Sequence, residues 1–314
     1  MKKLILLSLV TLLCLPLAVY AASMGGAETQ GKGKFAVGLD QEFVFDKDYK
    51  DVTLDDGQNY ADIITPLIGG VPINLNTIGV LGNTETKTEI DNMSRSMIKL
   101  SYGVLDHLDI FVRLGEANFK QEIKGEASDS GIFIDPLSGT TGTYAGVVEN
   151  TGTFKGKSAF AWGLGAKGVY PLENDWFLGM QAQYLRHRNS LKCSMKEKES
   201  GTFVATAGPG AGTTGTFESA EEEMLWNAKA TVQEWQIAPY VAKKLGSFVP
   251  YFGVKYSDQR EEYKDEDGKI KFKADDNFGV FVGTDYNIGK NFSLNIEGRF
   301  VDETAMSFGA TYKF

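Results

Sequence analysis

The chain has 314 residues, with 41 Asp and Glu against 32 Lys and Arg, 36 Gly, 8 Pro, 2 Cys and 2 His. This mixture excludes a collagen, a coiled coil and a disulfide-stapled mini-protein, and a net charge of −9 without runs of basic residues argues against nucleic-acid binding. With 42% hydrophobic residues and no apolar run of membrane-helix length beyond the N-terminus, a helical membrane protein is excluded too.

Residues 1–21 read as a secretory signal peptide, with Lys2 and Lys3 as the charged region, an apolar stretch over 4–19, and Val19-Tyr20-Ala21 as the cleavage site. The mature domain is then expected over 22–314. Removing the leader takes two lysines, so the net charge falls from −9 to −11. A lipoprotein signal would need a small residue before Cys14, and Leu13 stands there. Cys193 is left alone, is expected as an exposed loop thiol, and excludes an intramolecular disulfide.

The mature sequence alternates apolar with polar or small residues at a period of two, the mark of strands with one greasy face. The first segment, 34–45, sets Phe35, Val37, Leu39, Phe43 and Phe45 against Asp40 and Glu42, with Gln41 interrupting the greasy face. The second, 93–102, sets Ile98, Leu100 and Tyr102 against Arg95, Met97 and Lys99, and GVLDH leads into the third, LDIFVRLG, where Leu108, Ile110, Val112 and Leu114 oppose Asp109, Phe111 and Arg113. The fourth, 158–170, alternates Phe160, Trp162, Leu164 and Tyr170 with Gly163, Gly165 and Lys167. After PLEND, the fifth (WFLGMQAQYL) opposes Trp176, Leu178, Met180 and Tyr184 to Gly179, Gln181 and Gln183. The sixth and seventh, 231–241 and 248–257, are joined by KKLGS, and the eighth and ninth, 278–286 and 292–300, by NIGKN. The tenth is AMSFGATYKF, with Met306, Phe308, Tyr312 and Phe314 on one face.

Connections after the even segments are about five residues, whereas those after segments one, three, five and seven run from about twenty to nearly fifty. Residues 302–304 make a very short fifth loop. Short turns on one side of a membrane and long loops on the other explain this alternation. The expected fold is therefore all-β: an antiparallel up-and-down transmembrane barrel of about ten strands within a range of eight to twelve, since 131–153 leaves room for one more hairpin. Two outward aromatic belts are expected at the membrane interfaces. Tyr102, Tyr170, Trp176, Tyr286, Phe292 and Tyr312 form the periplasmic one, and Phe45, Trp162, Tyr184, Trp235, Tyr256, Phe278 and Phe300 the outer one. Pro239 and Pro250, which lack an N–H, are expected to face each other near the periplasmic rim.

On the leader, the unit SYGVLDHLDIFVRLG, the hairpin IAPYVAKKLGSFVPYFGVKYS and the final FGATYKF, the chain resembles the outer-membrane β-barrel proteins of Gram-negative bacteria, most nearly the small OmpA-like and opacity-type barrels. That resemblance implies an outer-membrane location, contact with outer-membrane lipid including lipopolysaccharide, and an assembly signal in Phe308, Tyr312 and Phe314 read by the barrel-assembly machinery. No peptidoglycan-binding domain of the OmpA type is expected after the last strand.

Inward charges in this register are Asp40, Glu42, Asp109, Glu234, Asp285 and Glu297 against Arg95, Lys99, Arg113, Lys167, Lys255 and Arg299. A ten-stranded barrel is little wider than eight-stranded ones, whose interiors side chains fill. A balanced charge network filling the lumen is therefore expected, in a structural or surface-interaction protein; a narrow porin-like channel is the alternative. Inward glycines (Gly115, Gly163, Gly165, Gly179, Gly253, Gly279, Gly283) either keep space open or let strands bend.

The loops carry any partner specificity. The apolar stretch 63–82 reads as a loop over the barrel mouth or a contact surface for an extracellular partner, GPGAGTTG as a linker without a phosphate-loop lysine, and EEYKDEDGKIKFK as a hairpin turning at Asp267-Gly268. Asp265, Glu266 and Asp267 lack EF-hand spacing, and no cofactor or metal is expected. Neither catalysis nor a protease is expected. His107 falls in a periplasmic turn, and His187, flanked by Arg186 and Arg188 without an adjacent acid, is expected at the rim, solvated or touching lipid phosphates.

Overall fold

In the computed structural model, which describes residues 25–54, 59–64, 67–68, 71–72, 75–219, 221–264 and 269–314, ten antiparallel strands close into a ring. They are β1 (Phe35–Leu54), β2 (Leu75–Leu105), β3 (Leu108–Ile134), β4 (Ala159–Pro171), β5 (Trp176–Ala207), β6 (Glu222–Lys243), β7 (Phe248–Lys264), β8 (Phe278–Ile288), β9 (Phe292–Phe300) and β10 (Thr304–Lys313). Each pairs with the next, and β10 closes on β1, with Leu39 opposite Ala310. The expected leader, the acidic residues 265–267 with Gly268, and parts of the 63–82 stretch lie outside the described residues.

Register fixes the dimensions. The path Phe248, Tyr286, Leu294, Ala310, Leu39, Ile98, Leu114, Trp162, Arg186, Gln233, Arg260 passes once round the ring through opposed residues. It returns to β7 at Arg260, and 260 − 248 is a shear of 12 residues. Ten strands with this shear tilt by about 40° and enclose a backbone cylinder of roughly 10 Å radius. An inward arginine or lysine spans most of that radius, so the lumen is within reach of complete filling.

Side-chain alternation decides which residues are outside. Ile98, Leu100, Ile110, Val112, Leu114, Leu164, Leu178, Val254, Val280 and Ile296 are exposed on the outer face. The thirteen aromatics of the two belts are all exposed or half-buried. Phe248 and Tyr256, eight residues apart on β7, lie about 20 Å apart along the axis at this tilt. An aliphatic band between aromatic rings at that spacing matches the apolar height of an outer-membrane barrel.

Four sequence expectations are corrected. Residues 131–153 add no strand to the ring: Thr141–Gly156 pairs with β3 and β5 and continues β4 upward past a break at 157–158, so the count stays ten. Likewise Lys269–Lys273 pairs with β7 and Thr214–Glu218 with β5, raising the wall above the long-loop end. Pro239 and Pro250 do not face each other. The β6–β7 ladder pairs Ile237 with Tyr256 and Tyr240 with Gly253, skipping Pro239, while Pro250 sits opposite Thr284 on β8. Phe43 is only 1% exposed, covered by Phe45 and Phe308, because the bulge between Val44 and Asp46 bends β1 locally. Cys193 is buried on the inner face of β5 opposite Phe154 and Trp226, not in an exposed loop.

Candidate functional site

The twelve inward charges expected from sequence are all buried inside the ring. They divide by partner. Eight make ion pairs in the lumen: Asp40, Glu42, Arg95, Arg113 and Glu234 form one cluster, and Glu297, Arg299 and Lys255 belong to a second. Arg113 Nη1 lies 3.0 Å from Glu42 Oε1, and its Nη2 lies 3.3 Å from Asp40 Oδ2. Arg95 donates to Glu234 at 2.8 Å and lies 3.7 Å from Glu42. Arg299 stands 4.0 Å from Glu297, which accepts the Tyr251 hydroxyl at 2.8 Å, and Lys255 pairs with residues outside the expected set.

The other four, Lys99, Asp109, Lys167 and Asp285, hold a segment of the chain itself. Residues 25–31 run into the turn end of the barrel, with Lys32 and Gly33 exposed at its rim. The Ala27 N–H donates to Asp285 at 2.6 Å and the Gln30 N–H to Asp109 at 3.0 Å. Lys99 and Lys167 donate to the Gly25 carbonyl at 3.4 and 3.3 Å, Lys167 also to that of Gly26, and the Tyr240 hydroxyl to that of Ala27 at 2.6 Å. Glu28 takes Lys244 at 3.0 Å at the rim. Burial pushes the Glu28 carboxyl up, but the Lys244 hydrogen bond and the Lys313 and Lys244 charges outweigh it and hold it below its usual range. Sequence alternation gives no sign of this tail, because it contributes backbone groups.

Two inward glycines make the fit. Gly179 leaves room for the Tyr240 ring, and a Cβ on Gly103 would collide with the Gly31 carbonyl. Gly33 and Gly103 are joined by a 2.8 Å backbone hydrogen bond, and Lys34 accepts from Gly103 at 2.9 Å. Gly103→Ala is therefore expected to unseat the tail. Limited trypsinolysis at Lys32 and Lys34 reads this, with cleavage at least ~10-fold faster than in the parent.

Apolar layers bracket the charges. Inward positions beyond Arg95, Asn189 and Glu234 toward the long-loop end are Met93, Leu191 and Val232, which belong to one cluster with Phe119, Phe154, Tyr263 and Phe272. Toward the turn end, Ala27 of the tail packs with Phe177, Tyr240, Val249, Tyr251 and Phe281.

Three charged residues of the network escape sequence reasoning. Lys47 falls on the outward parity of β1, but the bulge turns it inward, where it lies 3.4 Å from Glu303. Asp302 and Glu303, expected in an outer loop, fold into the lumen. Lys255 meets Asp302 at 2.9 Å and also pairs with Glu303, which lies 3.0 Å from Arg299 Nε. The three-residue turn achieves this by placing Val301 at φ 86°, a conformation costly for a β-branched residue. Val301→Gly is expected to raise unfolding stability by about 1 kcal/mol, read as a higher urea midpoint.

His187 is corrected as well. It is 3% exposed and faces the lumen, with Nδ1 2.6 Å from Asn189 Oδ1, while Arg186 and Arg188 point outward. The alternation that places Tyr184 outward already requires this. Among the described residues no group of His, Cys, Asp and Glu is arranged to hold a metal ion.

The family model described as Chlamydia major outer membrane protein matches residues 33–270. No curated protein matches the sequence. Among solved structures, the outer membrane protease OmpT from Escherichia coli is 14% identical over 90% of this chain and 97% of its own, with a TM-score of 0.42. The transport unit of the autotransporter AIDA-I from Escherichia coli is 14% identical over 98% and 97%, with a TM-score of 0.30. The β domain of the Bordetella autotransporter Brka is 10% identical over 90% and 99%, with a TM-score of 0.27. None of these likenesses bears on activity.

Proposed function

The chain belongs to the Chlamydia major outer membrane protein family and is an outer-membrane β-barrel, and we propose that its role is structural and surface-interacting, with a lumen closed to solutes. One observation carries this reading: the interior of a barrel of roughly 10 Å radius is occupied by buried ion pairs and by the chain's own residues 25–31, between two apolar clusters. A water-filled passage would need a polar path through both clusters. Fused into liposomes, the full chain is expected to leave them as impermeable to small sugars as protein-free ones. Swelling in arabinose would instead favour the narrow porin-like alternative.

The reading includes no catalysis. His187 is held by an amide, not a carboxylate, and His107 is exposed in the turn at the opposite end. The belt aromatics would anchor the barrel at the two lipid interfaces. Exposed Phe308, Tyr312 and Phe314 on the closing strand would serve as the signal for the assembly machinery. Outer-leaflet lipid, lipopolysaccharide included, would be its constant partner, and an extracellular partner would meet the raised wall. Likeness to OmpA-like and opacity-type barrels enters only as shared architecture.

A further inference from the structure

We propose that a basic patch on the outer face of β5, β6 and the segment 155–157 above β4, just above the upper aromatic belt, binds the phosphate groups of an outer-leaflet glycolipid. The proposal rests on the outer-membrane reading above and gives its lipid contact a site. On β5 the outward residues Arg186, Arg188 and Lys192 are exposed, alternating with inward His187, Asn189 and Leu191. Lys155 stands opposite Lys192, Lys229 stands opposite Ser190, and the Lys157 N–H donates to the Ser190 carbonyl at 3.0 Å. Strand spacing and rise put these six cations within roughly 20 Å by 10 Å.

Three lysines higher on the wall are matched: Lys196 pairs with Glu221, Lys198 with Glu218, and Lys120 with Glu122. Arg186, Arg188, Lys155, Lys157, Lys192 and Lys229 form no ion pair among the described residues. Six like charges held together on a chain of net charge −9 repel one another unless anions lie among them.

The position selects the anion. Arg186 is opposite Trp162, whose ring centroid is 5.6 Å from that of Tyr184, itself opposite Trp235. Cations therefore begin where the belt ends, at the depth of the headgroups, with aromatic rings beneath for the acyl and sugar portions. Long extensions mark this as the outer end. Arginine and lysine at headgroup level fit a phosphate-bearing glycolipid, with Arg186 and Arg188 able to grip it bidentately. Only strand register collects these residues, which is why the sequence shows no basic run.

The test uses the full-length protein in detergent, with diphosphorylated lipid A as the probe and phosphatidylcholine as the uncharged control. Parent protein is expected to bind lipid A in preference to phosphatidylcholine. The variant Arg186→Gln, Arg188→Gln, Lys192→Gln, Lys229→Gln should bind it about tenfold or more weakly, while keeping the heat-modifiable mobility of a folded barrel. Lys243→Gln with Lys290→Gln, at the turn end, should bind as the parent does. Equal loss in both variants, or binding by the four-site variant within about twofold of the parent, overturns the proposal. So does parent protein that shows no preference for lipid A. Flotation of the parent with outer membranes is scored separately, so a failed lipid site is distinguishable from a failed location.

Discussion

A barrel carrying Arg113→Met unfolds with a free energy about 3–5 kcal/mol below that of the parent. Arg113 is fully buried, and its guanidinium is divided between Glu42 at 3.0 Å and Asp40 at 3.3 Å. Methionine occupies similar space but leaves two buried carboxylates without the guanidinium between them. Glu42 keeps Arg95, at a longer 3.7 Å. The cost is mainly that of stranded charge, since a buried pair gains little over apolar packing once its desolvation is counted. Arg113→Met combined with Glu42→Gln and Asp40→Asn should therefore recover most of the loss, a strong coupling between neighbours. Urea titration, scored by the heat-modifiable band on gels, measures both. A loss of under about 1 kcal/mol for the single variant would mean that water screens the pair as it does at a surface, and hence that the lumen is wet.

Glu303→Gln is expected to cost as much, about 3–5 kcal/mol. One carboxylate there serves Lys47 at 3.4 Å, Arg299 at 3.0 Å and Lys255. Without it, Lys255 retains Asp302 at 2.9 Å and Arg299 retains Glu297 at 4.0 Å. The inward fold of the β9–β10 turn depends on that attraction, because Val301 holds a disfavoured φ to permit it. Glu221→Gln, which removes an exposed partner of Lys196, provides the contrast at about 0–1 kcal/mol.

Period-two alternation made the ten strands legible, because each needs one face for lipid and one for the lumen, and the same parity assigned Asp40, Arg95, Arg113, Glu234 and Arg299 to the interior. Tyr184 faces outward, so alternation turns His187, three residues later, into the lumen; the flanking Arg186 and Arg188 suggest the rim only when that parity is left out. Where a local irregularity intervened, parity itself failed: the bulge after Val44 turned Lys47 inward and covered Phe43. Asp302 and Glu303 sit in a turn, where alternation has no meaning. The tail over 25–33 was invisible because it offers carbonyls and N–H groups to the wall, which any sequence possesses. The wall above the membrane was hidden for a related reason. Outside lipid, Thr141–Gly156 keeps a buried face with Tyr144, Val148 and Phe154 but turns Thr143, Glu149, Thr151 and Lys155 outward, so the greasy outer face that marks a membrane strand is lost.

Single-channel recording in planar bilayers tests the closed lumen most directly, with insertion of the full chain verified by protease protection. Silence across a wide voltage range is the predicted result, because a lumen filled by the buried ion pairs, the tail and the two apolar clusters would have no continuous water path. Stable, uniform conductance steps from the inserted parent protein would contradict it.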